Sequence, residues 1–212
     1  AGLPPVAEWT GEVLRSVAAP VPTATAIDAA ATRLLAAGNP LLMVGGGAQR
    51  AANEVRALAE RLGAPVVMTT NARGILPPGH PLAVPFSPSL EPVRRLVLAA
   101  DVVLAVGTEC GQTDYDMYDV SPFPQPRGLI RIDIDRDQLQ RTLRPEIPLL
   151  GDAAGHGLGA AIFALHIPML FREMVMLGMS LSGIHERINQ FLLDQKISGY
   201  YVCGILMRIH GR

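Results

Sequence analysis

The run Pro40-Leu-Leu-Met-Val44, followed at once by Gly45-Gly46-Gly47, decides the fold. Its unbroken apolar character lacks the alternation of a half-exposed strand and suits a strand covered on both faces, as in a parallel sheet. The glycines that end it fit a tight turn from strand into helix. From Gln49 to Leu62, the residues Val55, Leu58, Ala59 and Leu62 form a helical stripe, and Gly63 closes it. The strand signature returns in Pro65-Val-Val-Met-Thr69, in Asp101-Val-Val-Leu-Ala-Val106 and in Leu129-Ile-Arg-Ile-Asp-Ile134. Val93 to Ala99 reads as a helix, and Arg136 to Arg141 as a short one. Upstream, the spacing predicts a helix from Thr25 to Ala37, capped by Thr25 or Thr23 and ended by Gly38 at C′. Four strands alternating with helices predict an α/β fold, a doubly wound, mostly parallel Rossmann-like sheet.

In such a sheet, ligands sit beyond the carboxyl ends of the strands. The candidate cofactor-binding residues are therefore Gly45, Gly46 and Gly47, then Thr69 and Thr70, then Gly107 and Thr108, then Asp133, Ile134 and Asp135. The glycines could bring amides close to a phosphate or could simply make a tight turn. A dinucleotide fingerprint needs a third glycine where Arg50 stands and an acid where Asn71 stands, which argues against an NAD-dependent dehydrogenase. Asp133 and Asp135 could hold a ribose or a cation; the commoner role is capping, here through Asp135 ahead of Arg136 to Arg141.

A formal net charge of −1 and scattered arginines give no attraction for nucleic acid. Two cysteines, Cys110 and Cys203, make neither a disulfide framework nor a metal site, and read as reduced thiols of a cytoplasmic protein. Ala1 in place of a start methionine reads as a cut or processed N-terminus. Asp114, Asp116 and Asp119, with Tyr115 and Tyr118, read as a solvated loop rather than a calcium loop. No pair among His80, His156, His166, His185 and His210 has metal-ligand spacing, and no nucleophile–base arrangement is visible, so neither catalytic nor metal residues are assigned.

All but one of the eighteen prolines precede residue 154, the exception being Pro168, whereas methionine concentrates beyond it. The chain thus divides into a linker arm at 1–24, a Rossmann-like domain at 25–154 and a helical tail of unclear origin at 155–212. In the tail, Ile184, Ile188, Phe191 and Leu192 predict an amphipathic helix over Gly183 to Gln195. Leu158 to Leu181 is apolar, but Pro168, Arg172 and Glu173 interrupt it, so a packed or partner-binding helix is expected rather than a membrane span.

Six short motifs follow one another in a telling order: Asn39-Pro-Leu-Leu-Met-Val-Gly-Gly-Gly-Ala48, Gly63-Ala-Pro-Val-Val-Met-Thr-Thr70, Gly74-Ile-Leu-Pro-Pro-Gly-His-Pro81, Ala100-Asp-Val-Val-Leu-Ala-Val-Gly-Thr-Glu109, Ile130-Arg-Ile-Asp-Ile-Asp135 and Leu150-Gly-Asp152. Together they resemble the central domain of thiamine-diphosphate-dependent enzymes, in the acetolactate-synthase-like and 2-oxo-acid decarboxylase branches. Gly107 to Asp119 resembles the matching stretch of a 5-guanidino-2-oxopentanoate decarboxylase.

The resemblance implies a scaffold domain of a lyase or transferase acting on 2-oxo acids, inactive alone. Thiamine diphosphate and magnesium would be held between two neighbouring catalytic domains of the intact enzyme, a homo-oligomer. One domain supplies an activating glutamate and the other a Gly-Asp-Gly…Asn metal motif, and this sequence carries neither; Ala153 stands after Gly151-Asp152 where that motif has glycine. Some relatives bind FAD in this domain through positions matching Gly45 to Gly47, Thr69, Gly107 and Asp133 to Asp135. FAD or ADP is thus a candidate ligand, although Ala83 to Ser89 lacks the Gly-Met-His-Gly-like segment of FAD binders. The alternatives are a free-standing nucleotide-binding or regulatory module with a partner-binding helical tail, and a fragment without function.

Overall fold

The structure, a computed structural model, describes residues 20–115, 123–151 and 170–194. Most of the predicted linker arm, together with Asp116, Tyr118, Asp119, Asp152, His156, His166, Cys203 and His210, lies outside the described residues, as does the stretch 158–169.

Six parallel strands form one sheet in the order β3-β2-β1-β4-β5-β6. They are β1 (Pro40–Val44), β2 (Val66–Met68), β3 (Ala83–Val84), β4 (Val102–Val106), β5 (Leu129–Asp133) and β6 (Ile147–Leu150). The doubly wound α/β fold is as predicted, with two strands more than the sequence indicates. β3 has only two residues, too few for any periodicity. β6 contains Pro148, which a sheet tolerates at its edge because no ladder donor is needed there.

Every residue of β4 and β5 is buried; β4 accordingly runs apolar without alternation, whereas β5 carries Arg131 and Asp133 among its apolar residues. Successive side chains still turn to opposite faces. Leu42, Val44, Leu104, Val106, Ile130 and Ile132 pack on helices α1 (Ala24–Leu35) and α2 (Ala52–Leu62). Leu41, Met43, Val103, Ala105 and Leu129 pack on α3 (Glu91–Ala99) and on Tyr115 and Phe123. Tyr115 ends a single turn, α4 (Gln112–Tyr115), and is fully buried, its ring edge-on to Phe123 at 4.9 Å. At that residue the expected solvated loop is instead part of the core.

Local signals placed some of the element ends and missed others. Thr23 caps α1, its Oγ1 accepting from the Ala26 amide at 3.3 Å, and Gly63 closes α2 at φ +60°. Gly38 does not end α1; Ala36 does, and the amides of Gly38 and Asn39 donate to the Asp101 carboxylate at 2.7 and 3.0 Å. Those amides, that of Gly38 above all, hold the Asp101 carboxyl below its ordinary value. The predicted start of α2 at Gln49 is corrected to Ala52, because residues Gly46–Ala51 wind as a 3₁₀ turn. Arg136 to Arg141 is likewise no α-helix: only Gln138–Gln140 make a 3₁₀ turn.

Helices follow the sheet. The described part of α5 spans 170–176, and α6 spans Leu181–Asp194, taking in the predicted amphipathic helix up to its last residue, Gln195, which lies outside the described residues. α5 lies on the body: Glu173 pairs with Arg61, Arg172 donates to Thr32 Oγ1 at 3.3 Å, and Met174 is buried. In α6, Ile184 is buried. Among the described residues, no helix is long and apolar enough to cross a membrane.

Candidate functional site

The strand registers align the carboxyl ends. Val44 pairs with Met68 and Val106, and Val106 with Ile132, so the loops that follow β1, β2, β4 and β5 share one rim. All ten candidate residues lie on it. They differ greatly in what they offer a ligand.

The three glycines are locked to their neighbours. The Gly45 amide donates to Val106 O at 2.9 Å and the Gly47 amide to Gly107 O at 3.0 Å. A Cβ at Gly45 would stand 2.3 Å from Gly107 O, and one at Gly46 would stand 2.9 Å from Asn71 Cβ. Close backbone approach therefore accounts for glycine at these positions. Of the three amides, only that of Gly46 has no hydrogen-bond acceptor among the described residues. Gln49 Nε2 donates to Asn71 O at 2.6 Å and ties the β1 loop to the β2 loop.

Thr69 is buried and its amide donates to Val44 O, whereas Thr70 is exposed at the start of a 3₁₀ turn. Gly107 sits at φ +55° and its amide donates to Ile132 O. Thr108 turns inward: its hydroxyl meets Tyr115 OH at 2.9 Å and accepts from the Cys110 amide at 3.3 Å. Cys110 is itself buried, in keeping with a quiet thiol.

Asp133 is buried and Ile134 and Asp135 are exposed. Asp133 Oδ1 accepts from the Asp135 amide at 3.0 Å, and Asp135 Oδ1 from the Asp137 amide at 2.8 Å. Both carboxylates cap local turns; because the helix is absent, Asp135 caps a bend rather than a helix. Burial pushes the Asp133 carboxyl above its ordinary value, against the pull of the Asp135 amide and the Arg131 charge.

The sequence reading missed Arg131. It is fully buried in β5, and its guanidinium donates to Arg141 O, Leu143 O and Thr108 O at 2.9–3.1 Å. One side chain thus ties the β4 loop to the β5–β6 connection. The signal was present, since an arginine in the middle of a buried strand must find buried acceptors. Among the described candidate residues of the rim, Thr70 and Asp135 are the exposed polar side chains, and the Gly46 amide has no hydrogen-bond acceptor. Among the described residues, no cluster of three or more His, Cys, Asp or Glu side chains could hold a metal ion.

Strand order 3-2-1-4-5-6 with loops converging at the β1/β4 reversal defines a doubly wound nucleotide-fold domain. Residues 27–160 match the family described as thiamine pyrophosphate enzyme, central domain. The chain belongs to that family. Residues 148–212 are similar to stage II sporulation protein E. The chain is 40% identical over 150 residues to a protein of Pseudomonas aeruginosa named as a probable 2-ketoarginine decarboxylase, covering 70% of this chain and 26% of that protein. It is 32% identical over 147 residues to a probable acetolactate synthase large subunit of Methanocaldococcus jannaschii, covering 66% and 24%. The benzoylformate decarboxylase structure from Polynucleobacter necessarius superposes with a TM-score of 0.58 at 24% identity, over 78% of this chain and 30% of that one, a likeness of fold alone. The chain spans about a quarter of the length of these curated relatives.

Proposed function

We propose that the chain is the central scaffold domain of a thiamine-diphosphate-dependent lyase or transferase acting on 2-oxo acids, inactive without its neighbours. One observation carries this reading: the family match over 27–160 takes in the whole described sheet, yet what the chain matches is only about a quarter of the proteins it resembles. The donor set agrees. The Gly45 and Gly47 amides are engaged and no metal cluster is formed among the described residues, so these residues do not fit a diphosphate with its magnesium. Thiamine diphosphate and magnesium then belong to the catalytic domains of the intact enzyme, a homo-oligomer, and the central domain positions those domains. Among 2-oxo acids the 40% relative favours 2-ketoarginine, which is 5-guanidino-2-oxopentanoate, as the parent enzyme's substrate. We place the parent in the cytoplasm, and divide this chain into an arm at 1–24, the central domain at 25–154 and a tail at 155–212.

The test compares the 212-residue chain with its full-length parent, each dialysed with thiamine diphosphate and magnesium and then assayed on 2-ketoarginine. The parent should retain the cofactor and release carbon dioxide; the chain should do neither. Stoichiometric cofactor on the chain would sink the proposal.

A second reading, a nucleotide-binding module, draws on the unengaged Gly46 amide and the exposed Asp135 on one rim. Its ligand would be ADP or FAD, with Asp135 on a ribose hydroxyl. Calorimetric titration decides between the two: saturable binding weakened by Asp135→Asn supports the module, and no binding favours the scaffold.

A further inference from the structure

A doubly wound sheet normally carries a helix in each crossover between parallel strands. Between β5 and β6 this chain has none. The connection, residues 134–146, crosses on the α3 side with a single 3₁₀ turn, Gln138–Gln140, and anchors itself there through the buried Leu143. Ile147 and Leu149 of β6 pack toward α1, so Pro148 and Leu150 turn to the opposite face, where no helix among the described residues covers them. The gap left by the missing helix is a groove of about 520 Å³. Leu139, Pro148 and Leu150 give it apolar walls, and Arg136 and Arg144 stand at it as its charged groups.

Both arginines project from fixed backbone. Arg136 is the middle residue of the turn in which Asp135 Oδ1 accepts from the Asp137 amide. Arg144 is held on both sides by Gln125, whose Oε1 accepts from the Arg144 amide at 3.0 Å and whose Nε2 donates to its carbonyl at 2.9 Å. Neither guanidinium has a partner among the described residues. Among the described residues, no carboxylate lines the groove: Asp135 and Asp137 stand outside it, and Glu146 pairs with Arg33. The neighbouring Arg131 is no substitute, being engaged by carbonyls in the core.

A volume of this size is that of a small-molecule site rather than a segment of protein. Guanidinium groups match the planar, paired oxygens of carboxylate and phosphate. We propose that this groove binds a small organic oxyanion, its carboxylate or phosphate held between Arg136 and Arg144 and its apolar body lying against Leu139, Pro148 and Leu150.

Phenyl phosphate, benzoate and inorganic phosphate are the probes, titrated into the full chain by calorimetry at low salt. Saturable binding of phenyl phosphate or benzoate is expected, with the tighter of the two identifying the oxyanion. Inorganic phosphate should bind at least tenfold more weakly, since it lacks the apolar body. Arg136→Gln/Arg144→Gln should weaken the organic anions at least tenfold, with the thermal unfolding midpoint unchanged because both side chains are exposed. Leu150→Ser should weaken them less and leave inorganic phosphate unaffected. Failure of all three probes to saturate, or binding that survives the double variant, overturns the proposal. So does phenylglyoxal labelling of both arginines only after denaturation, which would mean that another part of the protein fills the groove.

Discussion

The two halves of the sheet's carboxyl rim are held by different means. Between β1 and β4, backbone meets backbone: Gly45 and Gly47 donate to Val106 and Gly107, and no side chain intervenes. Between β5 and β6, charged side chains do the holding: Arg131 gathers four carbonyls, Asp133 and Asp135 cap successive turns, and no α-helix lies in the connection. The first half has no room to change. The second depends on desolvated charge, and should therefore respond to pH and to single side chains.

The largest effect is expected from Gly107→Ala. The residue sits at φ +55°, and its new Cβ would stand 2.7 Å from the Ala48 nitrogen and the Gly47 carbonyl carbon. Left-handed strain and overpacking against backbone together cost about 3 kcal/mol. Urea unfolding should show the loss, and near-wild-type stability would mean that the two loops are not interlocked.

Arg131→Met tests the other half. Methionine keeps much of the volume but leaves the carbonyls of Arg141, Leu143 and Thr108 without their shared donor, at a cost of about 2 kcal/mol. Backbone hydrogen exchange should rise in both the β4 loop and the 134–146 connection. Exchange confined to one of them would show that Arg131 does not couple the two.

The same contrast explains what was legible in the sequence. β1, β4 and β5 are central strands, and burial on both faces leaves an apolar mark in most of their residues. The rim positions follow from strand ends alone, since parallel strands must terminate their loops on one side. What each rim residue does is another matter. Thr108 turns inward to Tyr115, seven residues on, and Gly46 is squeezed by Asn71 from a separate loop, contacts that no periodicity encodes. The missing helix at Arg136 to Arg141 has a local cause instead. Asp133 and Asp135 each bind the backbone two residues on, and that local bonding competes with helical winding.

The smallest effect expected is also the one that separates the two halves by sign. Burial raises the Asp133 carboxyl above its ordinary value, so the folded chain holds this proton more tightly than the unfolded chain does. Ionising Asp133 therefore opposes folding. Its adverse contribution is absent below the unfolded value, grows as pH rises towards the folded value, and stays constant above it. Asp133→Asn removes that ionisation while its amide oxygen can still accept from the Asp135 amide. The variant should gain stability relative to the wild type as pH rises through the carboxylate range, with the difference closing at acid pH. Urea midpoints for the two chains, measured from pH 3 to 7, read this directly. A difference that does not change with pH would mean the carboxylate is not desolvated in the fold. A gain for the wild type on raising pH would mean that attraction to Arg131 outweighs burial, and that this half of the rim is held by an ion pair instead of by capped turns.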